Sequence, residues 1–333
     1  MNKGLTTHRC AITVAAIVAA LLTCAGAMAA QKTTEPSMAL IPAGPFFMGS
    51  DEIDKTQKGS EFGNDKPWYL DEHPRHAVTL PDFYLDKYEV TNGQFRQYVA
   101  ATGAAPPSHW IENGYILSLR KGQLNQLPVE KLRHLGSKIF RLDMDTRKMD
   151  KAQLVKAIDK HLDNEDILPA NYVTWNDAQQ FCAWAHKRLP KEAEWEKAAH
   201  GGAKNFTFPW GNQWRPGMSN TGSELWDEGV ALVGSYKTDK SVYGVYDLAG
   251  NVSEWTADWY QAYPHSDFKS PNFGEKFKVV RGAGWGGNGH YALKLFQRAS
   301  YRGDLPPDGD YADVGFRCAS DTPQDAHNNA QQK

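Results

Sequence analysis

Cysteine is scarce in this chain: Cys10, Cys24, Cys182 and Cys318 are the only ones among 333 residues. Neither sign of charge is in excess, with 37 Lys and Arg against 39 Asp and Glu. Without a basic surplus to neutralise phosphates, the balance gives no support for a nucleic-acid partner. No apolar run beyond the first few dozen residues is long enough to cross a bilayer as a helix, so no membrane span is expected in the mature chain. Internal repeats are absent as well. What remains is a chain of a length suited to one large domain or two small ones.

The apolar run that does occur is N-terminal. Lys3 and Arg9 precede about a dozen apolar residues at 11–22, too short to span, and Ala27-Met28-Ala29 forms an A-x-A cleavage site. Residues 1–29 are therefore predicted to be a signal peptide, with a polar leader at 30–37 and a periplasmic or secreted destination. The rival is a lipoprotein signal with Cys24 as the lipidated residue, which Thr23 before it fits poorly. In an oxidising compartment the remaining pair, Cys182 and Cys318, reads as one disulfide, with two buried free thiols as the alternative. Closing so long a loop would stabilise the fold by roughly 4–5 kcal/mol on the chain-entropy estimate.

Aromatics are plentiful, at 12% with 11 Trp. Rings more than aliphatic strands are expected to fill the core. The densest stretch is GVYDLAGNVSEWTADWY at 244–260, which follows neither helical nor strand periodicity. Within it, Asp247 and Glu254 flank a Gly-Asn turn, the arrangement of an oxygen-ligand loop for a hard cation; an aromatic turn with solvated acids is the plainer reading.

Before that stretch, 38–50 reads as a strand broken by turn residues, and 76–80 and 83–90 as two more strands. Thr91 and Gln94 have capping-box spacing, predicting a helix that ends at Gly103 with Phe95, Tyr98 and Val99 inward. From about 117 to 166 aromatics nearly vanish, and Leu154, Val155, Ile158 and Leu162 form one helical face. So little apolar mass would not fold alone. The segment reads as a helical insertion: a solvated decoration, or a docking arm or lid. A short strand is expected at 170–174, a helix from Thr174 or Asn176 to His186, and a second from Pro190 at its first turn to His200. Beyond 260 come a strand at 277–281, the Gly-rich run 282–289, and 314–318.

The stretches IPAGPFFMGS, HAVTLPDFYLDKYEVTNGQF, YVTWNDAQQFCAWAHKRLPKEAEWEKAAHGG, FPWG, YGVYDLAGNVSEWTADWY, VVRGAGW and DVGFRCAS occur in one order along the chain. In them the chain resembles the formylglycine-generating enzyme, or sulfatase-modifying-factor, family. The resemblance implies a single, irregular, loop-rich α+β domain related to C-type lectin-like folds, over 38–321, with the insertion at about 117–166 and a polar tail at 322–333. It implies structural calcium held by the side chains of Asp247 and Glu254 and the carbonyls of Gly250 and Val252. A second calcium would use the Asn220 side chain and the carbonyls of Thr221 and Tyr236, although the acid that some members add falls at Gly234. It also places Cys182 and Cys318 at the family's structural disulfide. At Lys191 the family usually has a helix-capping Thr.

The chemistry departs from the pattern. The two copper-binding cysteines of formylglycine generators fall at about Gly287 and Ala292, and their usual serine at Gly284. None supplies the thiolate that Cu(I) selects, so copper is not expected. The equivalent groove would be lined by Trp255, Trp285, Asn288, Tyr291, Arg298, Tyr301 and Arg302. His290 is the acid/base candidate. Arg298 and Arg302, four apart, would clamp an anion from one helical face or pair with structural acids. The reading is an exported binding or accessory protein for a small molecule, a peptide or another exported protein. The alternative is a cysteine-independent oxidoreductase or modifying enzyme on the same scaffold, acting on a peptide-derived metabolite or a protein. A formylglycine-generating oxidase is the least supported.

Overall fold

The computed structural model describes residues 37–53, 69–221, 229–286 and 294–323. Strands β1 (Met38–Ile41), β2 (Gly44–Met48), β3 (His76–Leu80) and β4 (Phe83–Asp86) come first. Helices follow: α1 (Asn92–Thr102), α2 (His109–Glu112), α3 (Val129–His134), α4 (Lys151–Glu165), α5 (Trp175–Trp184) and α6 (Glu192–His200). An irregular stretch then leads to β5 (Ser253–Trp259), β6 (Lys278–Arg281), β7 (Arg302–Leu305), β8 (Val314–Gly315) and β9 (Ala319–Ser320).

Local chemistry sets most of these boundaries. Thr91 and Gln94 form the reciprocal capping box, with Gln94 N–H donating to Thr91 Oγ1 at 3.3 Å and Thr91 N–H to Gln94 Oε1 at 2.9 Å. Gly103, at φ 73°, ends α1 in the left-handed conformation that glycine adopts without a Cβ penalty. The first apolar stretch splits into β1 and β2, which serve different sheets. β4 takes β1 on one edge and β9 on the other; β2 and β3 form a separate antiparallel pair; β7, β6, β5 and β8 make a four-stranded sheet in that order. Only the β5–β8 pairing in that last sheet is parallel.

Three expectations need correction. Residues 170–174 are not a strand: Ala170 N–H donates to Val90 O, and the ladder is a single bridge between Thr91 and Pro169. The strand at 83–90 stops at Asp86, where β4 runs out of partners. Helix α6 starts at Glu192, not Pro190. Lys191 is its N-cap and offers no acceptor, so the orphan N–H groups are satisfied from elsewhere. Lys191 N–H donates to Glu194 Oε2 at 2.8 Å, and Glu192 N–H to Asp258 Oδ2 at 2.6 Å, from β5.

The insertion is no decoration. Leu124, Leu132, Leu154, Ile158 and Leu162 are buried in the same cluster as Phe95, Trp110, Phe181 and Phe316. Arg96 and Tyr115 both donate to the Asp166 carboxylate, and Gly93 N–H to Asp166 O, locking the end of α4 against α1. Cys182 in α5 and Cys318 before β9 are joined as the expected disulfide, inside this core. Among the described residues, no helix is long and apolar enough to cross a membrane.

Candidate functional site

Helix α6 is buried on every side, and its charges are the reason the site holds its shape. Glu192, Glu196 and His200 recur every four residues along one face. Glu192 Oε1 accepts from Arg281 Nη1 at 2.9 Å and Arg302 Nε at 2.6 Å. Glu196 Oε2 accepts from Arg281 Nη2 at 2.7 Å, while its Oε1 accepts from Gly49 N–H at 2.6 Å and lies 3.1 Å from His200 Nε2. Burial alone would raise the Glu196 carboxyl, but Arg281 and His200 outweigh it and bring it to about 2. Buried anions and cations are matched here one against another, the arrangement that makes burial tolerable.

Beside this network lies a cavity of about 190 Å³ whose walls include Tyr69, Asp71, Glu72, Arg298, Tyr301 and Arg302. Three of the expected groove residues meet there. The anion clamp is corrected, because Arg298 sits in a turn and Arg302 in β7, so they share no helical face. Arg298 gives Nη1 and Nη2 to Glu72 at 2.7 and 2.6 Å. Arg302 gives Nε and Nη2 to Glu192 at 2.6 and 3.0 Å, and Nη1 to Asp71 O at 2.7 Å. Both guanidiniums are neutralised by structural acids, the other expected outcome.

Trp255 is corrected too: it is 0% exposed, in the core, with Nε1–H donating to Val173 O at 3.0 Å. Its place in β5 turns it away from any groove. Trp285 is half-buried and held by two hydrogen bonds, N–H to Asn251 O at 2.8 Å and Nε1–H to Ala312 O at 3.1 Å. An added Cβ on Gly284 would lie 3.0 Å from Asp313 Oδ2 and 2.8 Å from its Cβ, so Asp313 fills the space a serine side chain would take. Asn288, His290 and Tyr291, with the positions Gly287 and Ala292, lie outside the described residues.

The second constellation is the loop 247–254. Asp247 and Asn251 both adopt positive φ, 57° and 74°, a conformation that Asp and Asn tolerate better than other side chains. Gly250 has no room for a side chain, since a Cβ would fall 2.5 Å from Asn220 O. This presses the loop onto the Asn220 backbone, so Gly250 of one expected ligand set meets Asn220 of the other. Asn220 Nδ2 donates to Gly229 O and Asn251 Oδ1, both at 3.1 Å. Gly234 N–H donates to Asp247 Oδ2.

Charge is not balanced in this loop. Glu89, Asp239, Asp247 and Glu254 are all buried, and burial raises each carboxyl, most for Glu89 and Asp239. Asp247 adds to the rise at the other three. The one buried cation among them, Arg317, gives Nε and Nη2 to Glu254, each at 2.6 Å. Trp195 Nε1–H donates to Glu254 Oε2 at 2.9 Å. Lys237 is exposed and spends its ammonium on Gly234 O at 2.6 Å. Among the described residues, no three His, Cys, Asp or Glu side chains converge as a metal cluster, so backbone carbonyls would have to complete any ion site.

Sequence reasoning missed Glu72, Glu89, Glu192, Glu196 and Arg317. The four-residue spacing of Glu192, Glu196 and His200 was the available signal, but such a stripe ordinarily marks a solvated face.

The architecture is that of a loop-rich α+β domain, and solved structures share it. PvdO of Pseudomonas aeruginosa superposes with a TM-score of 0.54 at 24% identity, over 86% of this chain and 95% of that one. Treponema denticola variable protein 1 gives 0.52 at 20% identity over the same shares. Residues 24–322 match the sulfatase-modifying factor enzyme 1-like domain, and the chain belongs to that family. It is 32% identical to the formylglycine-generating enzyme of Mus musculus, over 85% of this chain and 75% of that protein. It is 33% identical to the inactive C-alpha-formylglycine-generating enzyme 2 of Mus musculus, over 86% of each.

Proposed function

We propose that the protein is an exported, calcium-stabilised member of this family that binds a partner and does not oxidise cysteine. The carrying observation is the absence of a usable thiol pair. Cys182 and Cys318 are bonded to each other, and the other two cysteines, Cys10 and Cys24, lie in the segment 1–29 read as a signal peptide. The positions that would hold copper carry Gly287 and Ala292. A relative of matching length, named as inactive, supports a role in which the scaffold persists without the oxidase chemistry.

The leader, with its charged start and A-x-A site, supports export to the periplasm or beyond. The cavity beside Tyr69 and Tyr301 supports a small-molecule or peptide ligand. With Arg298 and Arg302 already paired to carboxylates, that ligand is neutral or cationic. Calcium fits the donor chemistry of the 247–254 loop, where an excess of buried carboxylate oxygen faces one engaged guanidinium and hard cations prefer oxygen. When bound, the ion would supply fixed positive charge and hold the loop; Asp247, Gly250, Val252 and Glu254 are its proposed ligands, and Asn220, Thr221 and Tyr236 those of a second ion.

The test is direct. Purified protein is incubated with copper, oxygen, a thiol reductant and a Cys-x-Pro-x-Arg sulfatase peptide. The peptide mass is expected to stay unchanged, and a mass shift to the formylglycine form would overturn the reading.

A further inference from the structure

The calcium ligands proposed above all come from the second half of the domain. The structure brings one more side chain to the same place from the first half. Glu89, just beyond β4, is 2% exposed. Its Oε1 accepts from Asn251 Nδ2 at 3.0 Å, and its Oε2 has no hydrogen-bond partner. The Asp247 carboxyl neighbours the Glu89 carboxyl, close enough for the two to share a proton.

A buried acceptor left unpaired is costly, and more so when it is charged. Two carboxylates facing each other add mutual repulsion to that cost. Short of a proton shared between the two carboxyls, a cation is what would relieve it, and the side-chain donors nearby are committed elsewhere. Arg317 has given Nε and Nη2 to Glu254 and Nη1 to Asp86 O. The Asn251 amide is spent on the other Glu89 oxygen and on Ala231 O. The outer oxygens are also held: Gly234 N–H fixes Asp247 Oδ2, and Asn251 Nδ2 fixes Glu89 Oε1. Such outer contacts are what orient carboxylates around a metal.

We propose that Glu89 is a direct oxygen ligand of the cation held by Asp247, so that one divalent ion ties the segment after β4 to the 247–254 loop. The ion class is a hard divalent cation of calcium size, because the donors are carboxylates and carbonyls with no nitrogen or sulfur. The inference rests on the calcium reading and extends it to a residue that the resemblance does not assign. It also ties the ion to the groove, since Trp285 N–H donates to Asn251 O in the same loop.

Full-length protein stripped with a chelator and titrated with calcium tests the assignment by calorimetry and by melting temperature. The wild type is expected to bind and to melt higher with calcium. Glu89→Gln keeps the shape and the Asn251 contact; it is expected to weaken calcium at least 10-fold and to shrink the melting shift, as Asp247→Asn does. Terbium luminescence lifetimes in H2O and D2O count waters on the ion, and Glu89→Gln should admit an additional one. If Glu89→Gln does not fold, Glu89→Asp, which keeps the charge on a shorter arm, is expected to bind more weakly with the same extra water. Unchanged affinity and water count in the Glu89 variants, with binding lost in Asp247→Asn, would remove Glu89 and leave the calcium reading standing. No calcium binding by the wild type would overturn both.

Discussion

Lys278 sits between two indoles, its ammonium 3.8 Å from the ring centroids of both Trp175 and Trp259, and donates to Ala257 O at 2.9 Å. Burial, opposed by Asp258 and Glu275, brings its amine down to about 8. The native state therefore sheds this proton before the unfolded chain does, near its ordinary value of about 10.5. Between those values the unfolded chain binds more protons, so this group favours the fold increasingly as pH rises through the window. Tryptophan emission is expected to titrate with a midpoint near 8 as the cation–π contacts lose their charge, and Lys278→Met is expected to lose that transition. A fluorescence pH titration of both proteins checks it. None of this was legible in the sequence: Trp175 and Lys278 are a hundred residues apart, and one sits on a helix while the other sits on a strand.

At the scale of the element, α6 shows where pattern reading worked and where it failed. The helix and its end at His200 were legible from local chemistry, its first residue less so. Its burial was not, because Glu192, Glu196 and His200 read as a face for water until Arg281 and Arg302 arrive from β6 and β7. The same partners set an acid limit. The Glu196 carboxyl is at about 2 in the fold and near 4.5 unfolded. Its contribution is thus complete above about 4.5 and lost as pH falls toward 2, on the order of 3 kcal/mol. Urea unfolding at pH 7 and pH 3 is expected to show most of that loss, and Glu196→Gln to show a shallower acid limb from a lower starting stability.

For the whole molecule, the fold class was legible through the family resemblance that the turn-rich motifs carry, and the short, irregular elements read from local chemistry agreed with it. The role of 117–166 left none. Its Leu and Ile positions show one apolar face, but the rings they meet, Phe95, Trp110 and Phe181, lie on either side of it in the chain. Ile158→Ala is expected to destabilise the domain by about 2–5 kcal/mol in chemical denaturation, as for a core aliphatic. Deleting 117–166 is expected to abolish cooperative unfolding altogether. A trimmed domain that still melted in one sharp step would show that the segment is dispensable.

The pairing of β4 with both β1 and β9 bears on how the chain comes to be made. Strand β4 and its first neighbour are made early, but the second neighbour follows only after the rest of the domain. Arg317 and Cys318, which fasten the 247–254 loop and α5, emerge at the same moment. The short stretch 317–320 therefore carries together a strand, a cation and a disulfide partner that close the domain, and none of these contacts can form before it is made. Until that stretch is in place, β4 has one edge open.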